Sequence, residues 1–227
     1  MKMKSSLLFC LVIFSFFGVS AQAERFVKPL DEAKRDASFL AFRARLIAAA
    51  KTRDAQYVLS VVDKDIKNGF AGNDGVAEFK KQWNLASPNS KFWEEFTPVI
   101  TNGGTFDKES GNKNMLFVAP FTFNGFPEDL DAFDYSSIFG NNVNLRAAPD
   151  ASSKSLARLS YNVVKVDYQN SVKKSGSEDE YLWLKIETLG GKSGFVSAEF
   201  VRSPIDYRAG FEKKNGRWKM VFFLAGD

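Results

Sequence analysis

The sequence predicts an α+β protein: a small helical and stranded N-terminal domain, a small β-barrel, and a C-terminal β-hairpin that packs back on the N-terminal domain. Three observations predict it. Between residues 36 and 82 apolar side chains recur at three-and-four spacing. From Thr105 short alternating runs punctuated by Gly and Asn replace that period. Near the end, residues 207–211 and 218–224 flank an Asn-Gly pair. The boundaries read 1–23 for a removable leader, 24–134 for the helical part, 135–203 for the barrel and 204–227 for the hairpin. With 44% hydrophobic residues and 23 Phe, the 227-residue chain has ample material for a packed core, which excludes wholesale disorder.

The first segment reads as an export signal. Lys2 and Lys4 are basic, residues 7–17 are apolar except Ser15, and Ala21-Gln22-Ala23 offers small residues at the positions a signal peptidase reads, so cleavage falls before Glu24. The apolar run is shorter than the roughly 20 residues of a spanning helix, so no membrane span is expected after cleavage. Phe9 stands before Cys10 where lipidation wants a small residue, which argues against a lipoprotein. The expected location is secreted or periplasmic. Removing the leader leaves 29 basic against 27 acidic residues, so a nucleic-acid partner has no electrostatic footing.

Histidine is absent and Cys10 is the only cysteine. No Ser-His-Asp triad, Cys-His nucleophile or imidazole or thiolate zinc site can be built from this chain. No cofactor and no metal are expected. The run Asp63-Lys64-Asp65-Ile66-Lys67-Asn68-Gly69, followed by Asp74, fails as a calcium loop: a lysine replaces an oxygen donor, the glycine comes one place late and the twelfth position is Asp, not Glu.

Element by element, Phe39, Phe42, Leu46, Ile47 and Ala50 share one face of a first helix. Asp54 caps a second, with Val58, Leu59 and Val62 on its buried side. After Gly69, Gly72 and Gly75, Asp74 caps a third carrying Val76, Phe79 and Trp83. Residues 90–97 form a fourth, stopped by Pro98 and Gly103-Gly104. Residues 115–123 read as a strand whose Pro120 implies an edge position or a bulge.

Val143-Asn144-Leu145-Arg146-Ala147-Ala148-Pro149 resembles the opening motif of bacterial Src-homology-3-like domains. In the same order follow Leu156 and Leu159, Val163-Val164-Lys165-Val166, Trp183-Leu184-Lys185-Ile186, Gly191, Gly194-Phe195-Val196 and Phe200-Val201, over about residues 140–203. Two departures stand out: Phe195 where the family usually has Trp or Tyr, and a long polar insertion over 168–180, with a charged loop at 170–180. Alternation of Val143, Leu145 and Ala147 independently suits short barrel strands. Arg146 is expected to brace a turn. The resemblance implies a barrel that lays extended ligands across surface aromatics, with Tyr161, Tyr168, Trp183 and Phe195 as the candidate contact residues.

The hairpin needs partners once the barrel is complete by Val201, and its expected partner is the run 115–123. Functionally the reading is an exported, non-enzymatic binding protein of the cell envelope, its ligand a cell-wall peptide or an extended protein segment. The alternatives are a structural or inhibitory partner of another envelope protein, and a glycan hydrolase using paired carboxylates from Glu94-Glu95 or Glu128-Asp129-Asp131. The sequence leaves the oligomeric state open.

Overall fold

The computed structural model describes residues 22–107 and 115–226. The expected leader, apart from Gln22 and Ala23, lies outside the described residues. Helix α1 (Ala37–Thr52) starts where the Asp36 carboxylate accepts from the Phe39 amide at 2.8 Å and ends at Arg53 in the left-handed region. Helix α2 (Ala55–Val61) is capped by Asp54. Strand β1 (Val62–Lys67), helices α3 (Val76–Trp83) and α4 (Phe92–Thr101), strands β2 (Thr105–Phe106) and β3 (Leu116–Ala119) and helix α5 (Phe121–Gly125) follow. A run of short strands comes next: β4 (Tyr135–Ile138), β5 (Val143–Arg146), β6 (Ser155–Leu159), β7 (Val163–Lys173), β8 (Tyr181–Thr188), β9 (Ser193–Ser197) and β10 (Val201–Arg202). Strands β11 (Arg208–Lys214) and β12 (Arg217–Leu224) end the chain. Asn215 and Gly216 both have positive φ, as a primed hairpin turn requires.

Two sheets result. The first has the order β1-β12-β11-β3-β2, antiparallel except for the parallel β1–β12 pair. The chain leaves this sheet after Ala119 and rejoins it at Arg208, with Ala209 opposite Ala119. Phe39, Leu46, Phe79, Phe92 and Phe96 of the helices pack on Phe117, Phe211, Met220 and Phe223 of the sheet. Phe39 and Phe117 lie 4.2 Å apart between ring centres. The second is a curled antiparallel sheet, β10-β4-β7-β8-β9-β5-β6, enclosing Ile138, Leu145, Val164, Val166, Ile186 and Val196. A third, smaller cluster of Val27, Phe121 and Val163 joins the two. Among the described residues no helix is long and apolar enough to cross a membrane.

Several expected elements are corrected. Val62 does not extend α2. It opens β1, because β-branched Val62 and Ile66 find a parallel partner in β12, with Val62 opposite Met220. Asp74 does not cap α3. It ion-pairs with Lys67 and accepts from the Asn68 amide, closing the turn that precedes Gly75 at the helix start. Pro98 does not stop α4, which runs on to Thr101. The Glu94 carbonyl that loses its helical donor belongs to the side lining an open cleft, where solvent can serve it. The strand expected over 115–123 is only Leu116–Ala119 and is interior, not an edge; Pro120 ends it and a helical turn follows. The polar loop expected over 170–180 is shorter: β7 continues to Lys173 and β8 begins at Tyr181, so residues 170–173 are strand and the turn spans only 174–180.

Candidate functional site

The strands set which side chains face outward. On β8, Leu184 and Ile186 point into the barrel, so Trp183 and Lys185 point out. On β9, Val196 points in and Phe195 out. Lys185 is paired with Phe195, and Arg146 with Phe195 on its other side, so these three form one cross-strand row. The Lys185 ammonium sits 4.9 Å from the Phe195 ring centre, a cation–π contact that partly covers the aromatic surface. Arg146 donates to the Ser153 carbonyl at 2.7 Å and so braces the β5–β6 turn. Trp183 is half-buried and lies one step along, opposite Ser197.

Tyr161 and Tyr168 belong elsewhere. Tyr161 has positive φ and is half-buried in the cluster joining barrel and helices. Its carbonyl accepts from the Val27 amide, and its ring is 6.3 Å from Phe121. It is part of a seam. Tyr168 is 41% exposed, pairs with Tyr181 at 5.5 Å between ring centres, and its phenol meets Ser136. The structure therefore brings Trp183 and Phe195 onto one face and leaves Tyr161 and Tyr168 apart from them.

Beside the Tyr168–Tyr181 pair opens a cleft of about 610 Å³ between the barrel and α4. Lys91, just before α4, and Glu94, Glu95 and Pro98 of α4 form one wall; Glu180, Tyr181, Glu199, Arg202, Asp206 and Phe139 form the other. Five carboxylates thus face two cations. Lys91 pairs with Glu94 at 3.2 Å and Lys174 with Glu180 at 2.8 Å, both near the rim. Deeper in, Glu95 is half-buried and its carboxyl is pushed up by loss of water, against the pull of Arg202. Asp206 is open to solvent on the cleft side, yet crowding by protein raises its carboxyl too, while the Ser203 amide and Arg202 oppose the shift. Burial lowers the Arg202 guanidinium, which donates to the Tyr207 carbonyl and lies 5.5 Å from the Phe139 ring centre. Desolvation, with nearby Asp206, also raises the Tyr168 phenol. Carboxylates outnumber cations along the lining, so the net field of the ionised groups is negative. Such a cleft suits a cationic group carried on an extended chain, with the two tyrosines offering apolar area and polar tips.

Of the acids offered from sequence as a hydrolytic pair, only Glu94 and Glu95 reach this cleft, joined there by Glu180 of the charged loop. Asp129 is held by Arg25 through two 2.7 Å contacts, and Asp131 accepts from the Phe133 amide. Sequence reasoning missed Tyr181, Arg202 and Asp206. They reach the cleft from a strand end, an edge strand and a linker, and no spacing pattern connects them to a helix about a hundred residues earlier. Asp63 is engaged by Lys214 at 3.2 Å, and among the described residues no cluster of potential metal ligands forms.

Residues 141–202 match the family model described as Bacterial SH3 domain. The match runs from the loop before β5 to the end of β10, so the curled sheet carries a binding-type module of the bacterial Src-homology-3 kind. No curated protein and no solved structure matches the chain.

Proposed function

We propose that this chain is an exported, non-enzymatic binding protein of the cell envelope, and that it holds a cell-wall peptide or an extended protein segment by a basic group. The observation that carries this reading is the cleft between barrel and α4. Its excess of carboxylates complements a cation, and Tyr181 in its wall, with exposed Tyr168 packed beside it, complements the apolar part of an extended ligand. Charge complementarity of this kind weakens with salt. The test is co-sedimentation of residues 24–227 with purified peptidoglycan at low and high salt, beside Tyr168→Ala and Glu95→Gln. Saturable, salt-sensitive binding that falls about tenfold in Tyr168→Ala, a loss of about 1.4 kcal/mol, is the expected outcome. Equal binding by all three proteins moves the ligand to the Trp183–Phe195 face. No binding at any salt retires the wall ligand.

The second reading, a structural or inhibitory partner of another envelope protein, has its own support. The first sheet turns its other side to an apolar groove of about 880 Å³ lined by Leu30, Phe70, Phe123, Phe222 and Leu224. Phe70 there is 61% exposed. Exposed apolar side chains gathered in one groove are the kind of surface a protein contact would cover.

A further inference from the structure

Strand β8 ends at Thr188 opposite Val164, and just beyond that point the chain before β7 loses its neighbour on that side. Residues 24–27 take the vacated place. The Arg25 carbonyl accepts from the Val163 amide and the Val27 amide donates to the Tyr161 carbonyl, both at 2.8 Å, with Phe26 opposite Asn162 in antiparallel register. The other side of the same segment pairs with the β4 end, where the Ile138 amide donates to the Asn162 carbonyl. Residues 24–27 thus form a short extended segment, held by one antiparallel β-bridge, added to the barrel from outside it.

The seat beneath this strand is chemically specific. The Glu24 carboxylate accepts from Thr188 Oγ1 at 2.6 Å and from Asn162 Nδ2 at 3.2 Å. Gly190 makes the room: a Cβ there would come within 2.6 Å of Glu24 Oε1. Three residues on, Val27 is 1% exposed against Phe121 and Val163. Phe26, between them, is 48% exposed and reads nothing. Lys28, Pro29 and Leu30, which follow, are exposed, so the strand is joined to the helical part by a tether lying on the surface.

We infer that this edge of the barrel is a strand-accepting site for an extended protein segment with a carboxylate and, three residues on, an aliphatic side chain, and that residues 24–27 are its tethered occupant. The site is separate from the cleft and does not rest on it. Main-chain pairing supplies affinity in this mode, and the two side-chain seats supply selectivity. A short tether holds its own segment at an effective millimolar concentration, so an outside segment enters only when the tethered one is displaced.

The test uses the full chain with the strand undocked by Glu24→Lys and Val27→Asp, and a fluorescent synthetic peptide of residues 22–30. Anisotropy should show saturable binding to the undocked variant, at least tenfold weaker binding to the unaltered protein, and at least tenfold weaker binding of a peptide carrying Gln for Glu24. The peptide should also raise the melting temperature of the undocked variant. Equal binding by both proteins, or no binding by the undocked one whether folded or not, overturns the inference. A second variant, Gly190→Ala in the otherwise unaltered chain, should speed hydrogen exchange at the Val27 and Val163 amides while the rest of the barrel stays protected. Unchanged exchange at those two amides equally overturns it.

Discussion

The hydroxyl of Ser38 donates to Asp36 at 2.6 Å and accepts from Lys213 Nζ and Trp218 Nε1, each at 2.9 Å. One oxygen thereby ties the cap of α1 to both strands of the terminal hairpin. Ser38→Ala leaves the indole N–H of the nearly buried Trp218 without that acceptor, and we expect it to lower stability by about 1 kcal/mol, read from urea unfolding midpoints; Ser38→Thr should recover most of the loss. A second residue-scale expectation concerns acid and base. Glu95 holds its proton more tightly when folded, first because of burial. Its contribution is then full below the ordinary glutamate range and is lost as pH rises through the raised value. Unfolding free energy of the unaltered protein should therefore decline from the ordinary carboxylate range towards neutrality more steeply than that of Glu95→Gln. Parallel pH profiles would show that Glu95 is solvated like any surface acid.

At the scale of elements, what the sequence disclosed depended on whether a pattern was local. The cap at Asp54, the face of α1 and the Asn215-Gly216 turn are each decided within a few neighbouring residues, and all were legible. β1 was not. Val58, Leu59 and Val62 satisfy a helical period, and only the distant strand β12 makes Val62 extended. Likewise Pro98 reads as a stop, but the cleft beside it removes the need to break α4. The barrel strands were legible through a family pattern, whereas their continuation into the arm of β7 and β8 was hidden by the mostly polar run 169–173, whose residues, Val172 included, are exposed or half-buried. The cleft was illegible for the same reason as β1: α4, Arg202 and Asp206 meet only in three dimensions. Adjacent Glu94 and Glu95 hinted at it, but adjacency on a helix turns side chains apart, and burial, which sets Glu95 off, leaves no mark in a sequence.

Across the whole molecule, β11 and β12 occupy the second and third places of a five-stranded sheet and bring Phe211, Trp218, Met220 and Phe223 to its core. The barrel's core uses none of them. Removing residues 204–227 should accordingly unfold the helical part and leave the barrel folded. Far-UV circular dichroism should lose most of its helical signal, and limited proteolysis should leave a resistant fragment near residues 135–203. A resistant fragment of 24–134 would instead mean that the helices fold without their central strands.

The placement of the indoles has a spectroscopic corollary. Trp83, Trp93 and Trp218 lie within the helical core at 6%, 4% and 6% exposure, and half-buried Trp183 alone stands on the barrel. The intrinsic emission of the intact protein is therefore dominated by one half of the molecule. A red shift on denaturation follows the helical half, and a chain keeping Trp183 as its sole tryptophan, excited where tyrosine does not absorb, would watch the barrel by itself, with no dye attached.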